Sequence, residues 1–130
     1  MLILFVGAGG LIGAILRHLV DIWANSMSGS DGFPYGTLAV NAIGCFVIGI
    51  IAGTAEAKQP LSTEAQAFLV IGVLGGFTTF SAFGIDTIKL FRDGAYLASG
   101  TNVVLQIVLG LTAVGLGLSL VNWIHRFQSS

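Results

Sequence analysis

Residues 72–86, Gly-Val-Leu-Gly-Gly-Phe-Thr-Thr-Phe-Ser-Ala-Phe-Gly-Ile-Asp, decide how this chain folds. They overlap a charge-free run, Ala65–Ile85, that is long enough to cross a bilayer. Within it, the Gly75-Gly76 pair followed by Thr78, Thr79 and Ser81 loosens a helical backbone. Interrupted helix at membrane depth is tolerated only where protein covers it or a wet cavity adjoins it. The stretch is therefore predicted to break the third helix near Gly75–Thr79 and to carry an ion site. Phe80 and Phe83, three residues apart, share one helical face. Set among hydroxyls, they read as a pathway wall as much as lipid filler.

The surrounding composition agrees with a membrane setting. Of 130 residues, 55% are hydrophobic and 8% charged, against roughly a quarter charged in soluble domains. A formal net charge of −1 gives no basic excess for nucleic acid. Cys45 is the single cysteine, so no intrachain disulfide forms. Charge-free runs Leu2–Leu16, Phe33–Ala55, Ala65–Ile85 and Gly94–Ile124 predict a single domain, 1–130, of four spans near 2–21, 34–56, 64–88 and 95–124. The first is long enough if Arg17 snorkels to an interface or faces protein. It reads as a span and not as a cleaved signal peptide, lacking a basic start and a small-residue cleavage site. Residues 22–34, 57–63 and 89–94 are predicted connections, with Ser62 or Thr63 capping the third helix. None is large enough for a soluble catalytic or sensor domain.

Positive charge is balanced across the four spans. Lys58 and Arg126 fall on the side of the N-terminus; Arg17, Lys89 and Arg92 fall on or near the other. The positive-inside rule then has little to act on. One consequence is insertion in both orientations, with two inverted copies pairing about an axis in the membrane plane. The alternative is a single orientation set by partners or by Arg17. Three small-residue pairs, Gly9/Gly13, Gly49/Gly53 and Gly72/Gly76, suit close helix packing in an oligomer. A protomer this small cannot readily enclose a pore, which points to an interface between protomers.

Asn41 lies deep in the second span, where an unpaired amide is costly. It either bonds to another helix or offers its NH₂ to a passing anion. Asn102, Gln106 and Gly110 recur every four residues and form a polar stripe on the fourth helix. The spans hold no central Glu, Lys or His, which argues against proton coupling. His18 and His125 lie at opposite ends of the chain, and no nucleophile–base pair, metal-ligand spacing or phosphate loop assembles. The reading is not an enzyme. Amides and hydroxyls can donate to an anion, and aromatic edges are electropositive. Without deep Arg or Lys, a bound anion can leave again. Together these favour a pathway for a small anion.

Three motifs in order resemble the small fluoride channels of the Fluc, or CrcB-type, family. Gly75-Gly76-Phe77-Thr78-Thr79-Phe80-Ser81-Ala82-Phe83 resembles its GGxTTFSTF segment. Gly36-Thr37-Leu38-Ala39-Val40-Asn41-Ala42-Ile43-Gly44 resembles its G-T-L-x-V-N-x-x-G segment. Gly9–Arg17 resembles its glycine-rich first helix. The resemblance implies an all-α, antiparallel dual-topology homodimer in a bacterial inner membrane, exporting fluoride passively and so conferring fluoride resistance. It implies that the ring edges of Phe80 and Phe83, together with Asn41, contact fluoride. The adjoining Thr79, Ser81, Asn102 and Gln106 are candidate pathway residues, and Arg17 would lie toward a vestibule. Backbone carbonyls of Gly75 and Thr78, from both copies, would hold a structural Na⁺. Ala82, Asp86 and the Asn102/Gln106/Gly110 track depart from the family pattern. The alternative is a small-multidrug-resistance-like transporter, whose first-span acid is missing here until Asp21. A non-conducting assembly subunit would explain the glycines but not the Thr/Phe break.

Overall fold

The computed structural model describes residues 1–27, 32–57 and 60–128. Residues 28–31 of the first connection, and Lys58, lie outside the described residues. The elements are α1 (Leu2–Met27), α2 (Tyr35–Glu56), α3 (Thr63–Gln66), a π-helical segment (Ala67–Leu74), α4 (Gly75–Phe77), α5 (Phe80–Arg92) and α6 (Tyr96–Gln128). Grouped by span, these make four helices long and apolar enough to cross a membrane, the third covering Thr63–Arg92. The described residues contain helices and no strands. The chain is a multi-pass membrane protein.

Helix ends follow local chemistry. Ser62 Oγ accepts the Ala65 N–H at 3.2 Å and starts α3, as the sequence predicts. Pro34, at the start of α2, brings no acceptor, so Asn25 of α1 supplies one to the Gly36 N–H at 3.0 Å. Asn25 itself donates to Asp21 at 3.2 Å. These bonds explain a difference from the predicted boundaries: α1 does not stop at residue 21 but continues to Met27, where it anchors the entry to α2. At the other end of the third span, Gly94 has φ +78°. Its N–H bonds Phe91 O at 3.1 Å and the Ala95 N–H bonds Leu90 O at 2.9 Å, a Schellman closure that needs a left-handed residue.

α2 packs along α6, while α1 packs along the π segment and α4. Small residues set both seams. A Cβ at Gly72 would lie 2.8 Å from the Gly9 Cα, and one at Gly76 would lie 2.6 Å from the Gly10 carbonyl oxygen. Across α2 and α6, a Cβ at Gly49 would strike the Val114 carbonyl and one at Gly117 would come within 2.8 Å of the Ile50 nitrogen. The glycine pairs are thus backbone contacts, which cannot rotate out of the way. Gly49→Ala is expected to cost about 2 kcal/mol, read as a lower melting temperature in detergent. Gly115→Ala, where a Cβ meets nothing within 4 Å, should leave it unchanged.

The break in the third span falls within the predicted Gly75–Thr79, at its threonines and not at its glycines. Gly75 and Gly76 remain helical within α4, and Gly76 serves the α1 seam. Thr78 (φ −78°, ψ 155°) and Thr79 (φ −150°, ψ 111°) are the extended residues. Upstream, the π segment spans eight residues. Such widened turns recur near functional sites, and the sequence offered no sign of this one.

Candidate functional site

Two extended residues inside a bilayer expose backbone polar groups that must be paired. Asn41 does this. Its Oδ1 accepts the Thr79 N–H at 2.9 Å, and its Nδ2 donates to the Thr79 carbonyl at 3.1 Å. The side-chain amide imitates a backbone partner across the gap. The other Nδ2 hydrogen reaches Gln106 Oε1 on α6 at 3.1 Å. Both amide hydrogens are therefore engaged within the protein, and contact with an anion requires one of these bonds to exchange. On the break itself, Thr79 Oγ1 accepts the Ala82 N–H at 3.1 Å and so caps α5, with Ser81 Oγ 3.2 Å away. Thr78 Oγ1 turns back to donate to the Leu74 carbonyl at 2.9 Å.

Phe80 and Phe83 open α5 with ring centroids 5.3 Å apart at 62°, edge to face. Phe80 is 83% exposed, a large value for a phenylalanine beside a backbone break. A cavity of about 480 Å³ brings together Asn41, Thr78, Thr79, Phe80, Phe83 and Gln106, with Gly75 on its wall. A second cavity, of about 860 Å³, is lined by Arg17, His18, Lys89, Asp21, Thr37 and Asp86. It reaches Thr79, which lines both cavities. Arg17 thus lines a cavity that reaches the break. Thr37 Oγ1 donates to Asp86 at 2.8 Å on its wall.

The stripe on α6 divides. Gln106 turns to Asn41 at the break, and its Nε2 is buried without a partner among the described residues. Asn102, 0% exposed, is instead enclosed between α6 and α5, where its Nδ2 donates to Thr87 Oγ1 at 2.9 Å. Gly110 faces Cys45, whose Sγ would be 3.5 Å from a Cβ there. Asp21, Asn25, Thr37 and Thr87 were not singled out in the sequence. Only Thr87 carried a usable signal, lying one helical turn beyond Phe83.

Among the described residues, no three His, Cys, Asp or Glu side chains converge on a metal position. The oxygens at the break are of another kind. Because the Thr79 N–H bonds Asn41, the Gly75 carbonyl lacks the donor that a continuous helix would return to it. Gly75 and Thr78 both line the cavity on the open face. A backbone carbonyl left without its helical donor is an oxygen of the kind a hard cation takes.

The sequence model of the family described as CrcB-like protein, Camphor Resistance (CrcB), matches residues 4–118. A fluoride-specific ion channel FluC of Rhizobium etli (strain ATCC 51251) is 46% identical over 117 residues, covering 90% of this chain and 93% of the relative. The Agrobacterium fabrum protein of the same description is 43% identical over 118 residues, 91% and 94% of the two chains. That of Shewanella loihica is 44% identical over 119 residues, 92% and 94%. With the family match running through all four spans and the break at their centre, the chain belongs to the CrcB-like family.

Proposed function

We propose that this protein is a fluoride-selective channel of the bacterial inner membrane that exports fluoride passively. The observation that carries the reading is the meeting at Thr79 of a vestibule holding Arg17, His18 and Lys89 with a cleft walled by Phe80 and Phe83. Arg17 and Lys89 place positive charge on the vestibule wall, offset there by Asp21 and Asp86, so the approach is polar without a strong net charge. Thr79 and Ser81 supply hydroxyl donors at the constriction, and Gln106 supplies a spare amide N–H. The positive end of α5 starts at Phe80, so a dehydrated anion meets both a helix N-terminus and aromatic edges. None of these is a full charge deep in the membrane, which keeps the ion mobile. Asn41 holds the break open in shape and exchanges a donor with the passing ion. Hydrogen fluoride enters cells as a neutral weak acid, ionises in the more alkaline cytoplasm and is trapped there. A passive fluoride pathway relieves that trap and so confers resistance.

The cleft is open on one side, and Phe80 projects from it. A second copy in inverted orientation would close it, consistent with the balanced positive charges at the two membrane faces. The Gly75 and Thr78 carbonyls of two such copies would hold Na⁺ and tie the breaks together. The multidrug-transporter alternative gains little from the site, because the first helix carries no acid before Asp21, near its C-terminal end.

Fluoride efflux from liposomes tests the reading. Fast, valinomycin-dependent fluoride loss with negligible chloride loss is the expected result. No flux from well-folded, reconstituted protein would overturn it.

A further inference from the structure

α5 follows directly on two extended residues, so nothing in the upstream backbone dictates its rotation about its own axis. Yet that rotation sets where the Phe83 ring points. Asp86 ties it to α2 through Thr37, and Thr87 ties it to α6. Thr87 Oγ1 donates to the Phe83 carbonyl at 2.8 Å and accepts from Asn102 Nδ2 at 2.9 Å, while the Thr87 carbonyl accepts from Ser99 Oγ at 3.0 Å. Ser99 and Asn102 are 6% and 0% exposed. The contacts form a polar clamp between α5 and α6, enclosed by protein. Asn102 Oδ1 has no partner among the described residues, so the amide is oriented by this one donor bond. A buried amide held this way has been placed for geometry, since an apolar side chain would fill the site without an orphaned acceptor.

We infer that Thr87 and Asn102 are positioning residues for the anion pathway: by tying α5 to α6 they fix the direction in which Phe80 and Phe83 face the cleft. This assigns Asn102 a place behind the pathway wall instead of on it. The inference rests on the fluoride-channel reading and adds residues that touch no ion. The orientation of the Phe80–Phe83 pair toward the cleft is the quantity under control, because a rotation of α5 carries both rings with it. Asn41 and the Thr79 cap hold the N-terminal end of α5; the clamp holds it two turns further on.

The test compares Thr87→Val, Thr87→Ser and Asn102→Leu in reconstituted, wild-type-length protein. Thr87→Val keeps the shape and removes the hydroxyl; Asn102→Leu removes the donor together with its unpaired acceptor. Both should slow fluoride efflux about tenfold or more and raise the chloride-to-fluoride ratio, with unchanged elution as an assembled protein. Thr87→Ser, which retains every bond, should stay within about twofold of the parent. Wild-type rate and selectivity in Asn102→Leu would overturn the assignment. So would a rate loss matched by loss of assembled protein with selectivity unchanged, because a merely structural clamp would behave that way. If Thr87→Val does not fold, Asn102→Leu decides alone, since it leaves the Thr87–Phe83 bond in place. Failure of the parent to conduct fluoride would instead refute the channel reading, so the two failures are separable.

Discussion

Phe83→Ile is expected to lower fluoride efflux roughly 30- to 150-fold while leaving the protein folded and assembled. The direction follows from geometry. Phe83 shares a cavity wall with Phe80 and Thr79, and the two rings meet edge to face at 5.3 Å. Isoleucine nearly preserves volume, so packing changes little. It removes the ring quadrupole, whose electropositive edge is the group able to face an anion. Taking a desolvated cation–π contact, about 2 kcal/mol, as the scale for an anion at the ring edge, and adding up to about 1 kcal/mol for lost ring stacking, a sum of roughly 3 kcal/mol sets the upper end of the range. Efflux and melting temperature measured on the same preparation check the prediction. Retained efflux would return Phe83 to the role of packing residue.

Asn41→Leu should act differently, costing flux and stability together. The amide pairs both the N–H and the C=O of Thr79 and also reaches Gln106. Leucine fills much of the space but leaves two backbone groups at the break and the Gln106 oxygen without partners. Each orphaned buried group costs about 1–3 kcal/mol, moderated in membranes because the unfolded helices also find partners. A net loss of about 2 kcal/mol, seen as a depressed melting temperature, is expected alongside near-complete loss of fluoride efflux. Asn41→Asp retains the acceptor for the Thr79 N–H, so its stability should fall less although a negative charge beside the pathway also stops the anion. A stable, inactive Asn41→Leu would show that the amide meets the ion without holding the break. The contrast with Phe83→Ile separates a residue that shapes the pathway wall from one that also maintains the backbone.

Much of this was legible beforehand because it depends on local chemistry. Charge-free run lengths locate four spans, since the bilayer thickness sets how many apolar residues a helix needs. Thr78 and Thr79 announce a break. The Ser62 cap and the small-residue pairs are likewise local patterns, realised at the α3 start and along the α1 and α2 seams. Where expectation and structure differ, the cause is distant. α1 extends to Met27 because Asn25 is needed by Gly36, eleven residues later. Within the predicted Gly75–Thr79, the glycine pair stays helical, with Gly76 against α1, and the backbone opens at Thr78 and Thr79, where an amide can pair it.

The amino-acid sequence by itself determined the membrane environment, the number of spans, the presence of an interruption and the residue types available to an anion. Those follow from hydrophobic length, backbone propensity and side-chain chemistry, which are properties of neighbouring residues. Only the tertiary structure decided which polar groups pair. Asn41 meets Thr79 across 38 positions and Gln106 across 65, while Asn102, on the same stripe as Gln106 and not separable from it by pattern, turns to Thr87 instead. Residues one turn apart on α6 thus serve different tasks, because each amide must satisfy its hydrogen bonds with whatever helix lies opposite, and that is set by packing.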